Sequence, residues 1–308
     1  MTLHLPRVRN RADIPQLVNA LLGPLILIAP LAAGLQGLSL FVAWLGVWLT
    51  ICRHNYILHN HVHYRFTDSR WFNRWLDLSL GLVTAMTAGN WRIMHVHGHH
   101  VEHLADRLPS RAHASLLRVD DVAHHGRWYA AAHCALSVPY QFAYPIWRCL
   151  HGALAREGFR STYYRYHLRE FLIVYGAIAA VIWAFGWRGA LFLLPTYYLV
   201  YFLSRHVDYV THVAAASSAD HAYSNVCLSP RYNRRYWNFG YHVAHHFAPR
   251  EHWTRLPEIY RALHLNPAQS ASIETLNLYG LFRPLRLRWM PIAPKSQPTD
   301  RSARIVAP

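Results

Sequence analysis

Two long stretches of this chain are apolar without polar alternation, and they set its predicted elements. From Ile14 to Cys52 no residue is charged. About 39 residues rising ~1.5 Å each make ~58 Å of helix, roughly two crossings of a ~30 Å hydrocarbon core. Gly34-Leu-Gln-Gly37 supplies the turn, and Pro24 and Pro30 should kink the first helix, which bilayer helices tolerate better than soluble ones. A second apolar hairpin runs from Phe171 to Ser204 and turns at Gly186-Trp-Arg-Gly189. Its halves, about 17 and 15 residues, are near the lower limit for a span. Arg205 can extend the second half by snorkelling. The predicted spans are about 15–33, 36–56, 170–187 and 189–207.

Between the hairpins two stretches imitate spans. Trp75 to Trp91 contains Asp77 and several threonines, and reads as a helix lying at or dipping into the interface. Tyr129 to Trp147 is uncharged but interrupted by His133, Pro139, Gln141 and Pro145, and reads as interfacial too. An even number of crossings between the hairpins keeps all the polar segments on one side. The two hairpin turns carry a single base, Arg188, while the arm, middle region and tail hold the rest. By the bias of basic residues these three are expected in the cytoplasm, across a bacterial-type cytoplasmic membrane. The domain reading is an arm at 1–13, a membrane domain at 14–266 and an extension at 267–308 whose end, from about Lys295, is expected to be disordered.

Composition agrees with a membrane protein that has a large polar part. The 308 residues are 53% hydrophobic and 15% charged, and mean hydropathy is +0.02. The net charge of +16 comes from 31 basic and 15 acidic residues. Nucleic-acid binding would want a basic stripe on a soluble fold; here the arginines flank apolar runs, where they face anionic headgroups. Arg7, Arg9 and Arg11 before an apolar run imitate a secretory signal, but with no small-residue cleavage site a retained first span is expected. Cys52, Cys134, Cys149 and Cys227 show no C-x-x-C spacing, which argues against rubredoxin-like or zinc-ribbon sites. The chain shows no fixed-period repeat, Gly-rich phosphate loop or G-x-S-x-G.

The candidate chemistry lies in histidine. Three boxes read His59-Asn-His-Val-His63, His95-Val-His-Gly-His99-His100 and His242-Val-Ala-His245-His246, with His212 alone before the last. Spacings of three and four place imidazoles on one helix face a turn apart. A lone pair of this kind is ordinarily a hydrogen-bonded histidine. Three boxes in series, each beside a predicted membrane exit, are costly to bury unless something satisfies them. Neutral imidazole suits iron, zinc, copper and nickel, and nine ligands exceed what one tetrahedral zinc uses; the count points to two metals. His54 offers a rival box with His59, but His54, His61, His97 and His103 are all expected beside the site or facing solvent.

On these residues the chain resembles the membrane fatty acid desaturase family. His59 and His63 match that family's first box, and Phe66, Asn73 and Leu76-Asp-Leu-Ser-Leu-Gly81 look like its continuation. Arg92 with His95, His99 and His100 matches the second. Asn238-Phe-Gly-Tyr-His-Val-Ala-His-His-Phe-Ala-Pro249, then Trp253 and Leu256-Pro-Glu258, matches the third and is the most specific stretch. The likeness covers roughly residues 15–265. It implies an all-α integral membrane fold: four transmembrane helices in two hairpins with a cytoplasmic helical cap holding a di-metal site. The metal set would be His59, His63, His95, His99, His100, His212, His242, His245 and His246, with Asp208, four residues before His212, as a further ligand or as a carboxylate orienting an imidazole.

The implied reaction is oxidation of an unactivated C–H bond in a fatty acyl chain or lipid, with two ferrous ions and O2. Desaturation is the first expectation; hydroxylation and terminal-alkene-forming decarboxylation are same-fold alternatives. No HPGG haem motif or flavin fingerprint is present, so electrons should come from a separate donor such as a ferredoxin, steered by the arginines. A histidine-rich metal transporter is the reading from another class, and it would place ionisable residues within the spans.

Overall fold

The computed structural model describes residues 6–102, 126–150, 161–212 and 224–264. Among them every regular element is helical; the one β-contact is an isolated antiparallel bridge between Val8 and Thr67. The expected disordered tail, and His103, lie outside the described residues.

Among the described residues three helical stretches are long and apolar enough to cross a membrane: Arg11–Ala32, Gly37–His63 and Arg165–Asp208. The first contains α1 (Ile14–Ala32), which has Pro15 in its first turn, where a missing N–H costs nothing, and ends on Gly34 at φ 71°. Then α2 (Gly37–Ile51) starts with a capping box, in which Ser39 Oγ accepts from the Gln36 N–H at 3.3 Å. The helix breaks at Cys52–Arg53, so box 1 occupies a separate helix, α3 (His54–His63), rather than the tail of a span ending near 56.

The segment 75–91 departs from a single interfacial helix. Helix α4 (Arg70–Thr84) ends at Ala85 in the left-handed region, and α5 (Ala88–Trp91) starts afresh. Thr84 Oγ1 takes the Met86 N–H, and Thr87 Oγ1 takes that of Asn90, which makes the break a capped corner. One face of α4, with Leu76, Leu80 and Val83, is fully buried, and Ser79 Oγ donates to the Ala20 carbonyl of α1 at 2.6 Å. Box 2 follows in α6 (Arg92–Glu102), a π-helix rather than the α-helix its spacing predicts; such windings recur at functional sites. Helix α7 (Gly126–Leu150) runs through Pro139 and Pro145 and is not among the three membrane-length helices.

In α8 (Ser161–His212) the helical dihedrals fail at Gly186, with φ 58° and ψ −143°. Two hydrogen bonds show what this does. Tyr175 Oη and Tyr201 Oη both donate to the Ala85 carbonyl, at 2.7 and 2.6 Å. Twenty-six residues of straight helix would separate them by ~39 Å, so the chain must double back between them. Gly186 is the hinge of that reversal. The chain divides into two units, residues 1–96 with 137–204 and residues 97–136 with 205–308. The first contains the apolar helices, which expose Leu25, Leu38, Phe41, Leu172 and Leu191. Apolar exposure on that scale marks an interaction surface.

Because only glycine occupies the Gly186 dihedrals without strain, Gly186→Ala should cost about 1–3 kcal/mol. Thermal unfolding in detergent should show a lowered midpoint, while Gly176→Ala, at a helical position with open space, should leave it nearly unchanged. Equal midpoints for the two variants would show that the reversal does not depend on this residue.

Candidate metal centre

In the first unit α3 presents His59 and His63 four residues apart, and α6 begins with His95. The ligand nitrogens of these three all lie within 4.8 Å of one another. Their ring centroids are 4.9 Å apart for His59–His63, 4.6 Å for His59–His95 and 5.1 Å for His63–His95. Trp91 closes one side of the group, its ring 6.1 Å from His59 and 5.2 Å from His95. Box 2 continues into the second unit.

In the second unit His100 meets box 3 on α10 (His242–Phe247), all four imidazoles being buried. His245 Nε2 lies 3.0 Å from His100 Nε2, and His246 Nε2 lies 3.0 Å from His242 Nε2. Two nitrogens each ~2.1 Å from one ion, at about a right angle, lie ~3.0 Å apart. The same spacing allows one ring to donate N–H to the other, so the geometry suits a metal and also holds without one. Neutral imidazole is the donor that iron, zinc, copper and nickel share. The side chains of His99 and His212 lie outside the described residues.

The local chain explains box 3. Asn233, on α9 (Pro230–Arg235), donates through Nδ2 to the Cys227 carbonyl at 2.8 Å and accepts the Gly240 N–H at 3.0 Å. Cys227 N–H then donates to the Gly240 carbonyl. A Cβ at Gly240 would collide with the Cys227 carbonyl oxygen. Trp237 and Asn238, with φ of 50° and 58°, make the left-handed turn that aims the chain into His242. The Asn-Phe-Gly-Tyr signature is thus a knot that launches the histidine helix. A further short helix, α11 (Leu256–Ala262), packs through Tyr260 against Tyr241, with ring centroids 5.5 Å apart.

What positions boxes 1 and 2 escaped the spacing argument. Asp77 of α4 is 1% exposed. It accepts from Arg65 Nη1 at 2.7 Å, from Arg92 Nη2 at 3.2 Å and from Tyr166 Oη at 3.1 Å, with His61 Nε2 3.4 Å away. Arg65 and His61 belong to the box 1 segment and Arg92 starts box 2. Burial alone would raise the Asp77 pKa, but the His61 hydrogen bond and the Arg65 charge hold it below the ordinary carboxylate value. Glu170 of α8 is the second anchor. Its carboxylate accepts the Ala88 and Gly89 N–H groups at 2.6 and 3.0 Å, capping the helix that leads into box 2. The sequence signal for Asp77 was a lone acid in the otherwise uncharged stretch 75–91, visible but not linked to the boxes; Glu170, directly after Arg169, gave no such signal.

The remaining candidates separate cleanly. The ring nitrogens of His54 lie 3.2 and 3.0 Å from the Ile51 and Asn19 carbonyls, and its single N–H donates to one of them, so the ring is engaged by backbone rather than by His59. His61 turns to Asp77. Asp208 Oδ2 lies 3.3 Å from Arg205 Nη1, so its carboxylate faces a guanidinium. Cys52, Cys134 and Cys227 are buried and form no disulfide; burial pushes Cys134 up to about 12, which keeps it protonated.

Comparison with known families matches the model described as Fatty acid desaturase over residues 33–273. No curated protein and no solved structure matches the chain.

Asp77→Asn leaves Arg65 and Arg92 facing a neutral amide and should destabilise the protein by about 3 kcal/mol, the low end for a buried pair because Arg65 is 29% exposed. The sign with pH follows from the lowered pKa. The Asp77 contribution is complete above the ordinary carboxylate pKa of about 3.9 and is lost as pH falls through its lower folded value. The stability gap between wild type and variant should therefore persist at neutral pH and close below about pH 4. A gap unchanged down to pH 2.5 in denaturant titrations would show that the charge of Asp77 carries none of it.

Proposed function

Since the chain belongs to the fatty acid desaturase family, we propose that it is an integral membrane oxidase that would hold two irons through histidine and remove two hydrogens from an unactivated segment of a fatty acyl chain. The observation that carries this reading is the pairing of histidine clusters, one in each unit, with a family match that spans both. In the proposed ligand set His59, His63 and His95 serve one metal. His99, His100, His212, His242, His245 and His246 complete the set for the two metals, with Asp208 acting as a further ligand or as a carboxylate orienting an imidazole. The reaction balances as one –CH2–CH2– unit, one O2, two electrons and two protons giving one –CH=CH– and two waters. Electrons would come from a separate ferredoxin-like donor. Bound iron supplies the means of activating O2 and breaking a strong C–H bond.

The chain's own residues supply the rest. Asp77 holds Arg65 and Arg92 and thereby the two segments that carry His63 and His95. Trp91, 8% exposed, keeps water from the His59 and His95 rings. The reversal at Gly186 supports four spans in two hairpins, because it splits the third apolar helix into halves that both reach Ala85. The bias of basic residues away from both hairpin turns supports a cytoplasmic metal site and cytoplasmic termini. In domain terms this places the desaturase-like body at 14–266 between a short arm and an extension.

Purified protein should hold two irons per chain by metal analysis, and His245→Ala or His100→Ala should abolish turnover and lower iron content. Full iron and activity in either variant would remove the di-iron assignment. Lipid mass spectrometry of cells with and without the gene separates the chemistries. Loss of two mass units marks desaturation, gain of sixteen marks hydroxylation, and a shortened terminal alkene marks decarboxylation. Unchanged lipids alongside metal accumulation would favour transport instead.

Topology has its own test. Single cysteines at 9 and 250 should label from the cytoplasmic side, and one at 187 only from the other. Labelling of 9 and 187 from the same side would defeat the two-hairpin arrangement.

A further inference from the structure

The two hairpin turns of the first unit meet. Arg188 Nη2 donates to the Leu35 carbonyl at 2.6 Å, tying the Gly186–Gly189 turn to the one between α1 and α2. Beside that contact lies a cavity of about 470 Å³, walled by Leu40, Phe41, Trp44, Trp187, Leu191 and Phe192 together with Arg188. Trp44 is fixed there by its Nε1 bond to Thr196 Oγ1 at 2.8 Å and by stacking on Phe41 and Trp48. From Leu40 to His59 is 19 residues, or ~28 Å along the helical chain, so the cavity is separate from the metal centre.

One cation stands on this apolar wall. Its Nε is buried with no hydrogen-bond partner, and neither turn contains an acidic residue to neutralise it. A cavity of this volume accommodates a small organic ligand, and an apolar, aromatic lining with a few polar groups, here Arg188 and Gln36, is the usual form of such a site. The complement of an apolar slot with one guanidinium at its edge is a hydrocarbon chain with an anionic head. The forked donors of arginine suit phosphate oxygens in particular. We propose that this cavity binds an anionic phospholipid of the surrounding bilayer, one acyl chain lying against Phe41 and Trp44 and the phosphate on Arg188. The proposal rests on the membrane-spanning reading given above, and on no assumption about the reaction.

Full-length protein in nanodiscs of equimolar phosphatidylglycerol and phosphatidylcholine, released and weighed by native mass spectrometry, tests it. Wild type should retain phosphatidylglycerol about fivefold over phosphatidylcholine, the preference expected for one basic residue at a headgroup. Arg188→Gln should bring the ratio close to one, whereas Arg70→Gln, outside the cavity, should leave it unchanged. Leu191→Trp, which fills the slot, should lower retention of both lipids. Iron content of Arg188→Gln should equal that of wild type. Equal retention of both lipids by wild type, or an undiminished preference in Arg188→Gln, would overturn the site. So would displacement of phosphatidylglycerol by equimolar oleate, which would reassign the slot to a free fatty acid. Failure to enter nanodiscs at all would instead overturn the membrane-spanning reading, which keeps the two outcomes apart.

Discussion

A single buried carboxylate organises the metal-bearing part of the first unit. Asp77 sits on a helix that dips among the apolar helices, where removing a charge from water costs several kcal/mol unless partners compensate. The partners are two guanidiniums, an imidazole and a phenol, drawn from the box 1 segment, box 2 and α8. The cost of burying the acid and the placement of the histidines are therefore coupled. His59 and His63 are held through Arg65 and His61 on one side, and His95 through Arg92 on the other. Glu170 adds to this by fixing the start of α5 through two backbone N–H groups.

The apolar helices and the polar knots divide the labour by solvent. Helices that expose Leu25, Leu38, Phe41 and Leu172 gain nothing from water, so their packing depends on short-range contacts and a few buried hydrogen bonds. Tyr175, Tyr197 and Tyr201 each donate to a backbone carbonyl of the 82–85 segment, which has its own helix end to satisfy. Carbonyls left unpaired by the corner at Ala85 thus find donors on both halves of α8. The second unit works differently: the Asn233 carboxamide bridges Cys227, Ser229 and Gly240, and this local network, rather than a large core, sets the direction of the box 3 helix.

Much of this was legible in the chain. The apolar helices over the uncharged run from Ile14 to Cys52 and on either side of Gly186 were expected from length and hydropathy. The three boxes, their residue types and their order marked the metal site, and the Asn238-Phe-Gly-Tyr-His stretch marked the family. Those are properties of composition and spacing, which local sequence carries completely.

Other features depended on residues far apart in sequence. Spacing offers His54 as a rival partner for His59, and what occupies it instead is the Asn19 carbonyl, 35 positions away, which engages one ring nitrogen of His54. Asp77 looked like a polar interruption because its ligands come from positions 61, 65, 92 and 166. The break at Ala85 is invisible locally: its caps include Thr84 and Thr87, but the donors that satisfy its carbonyl arrive from 175 and 201. Box 2 had α-helical spacing yet winds as a π-helix. The physical reason is common to all four. Hydropathy and imidazole spacing are additive along a helix, so the sequence alone determines which segments are apolar and which residues are candidate metal ligands. The satisfaction of a buried charge, a ring nitrogen or an orphan carbonyl depends on whatever the fold brings within 3 Å, and only the tertiary structure decides that.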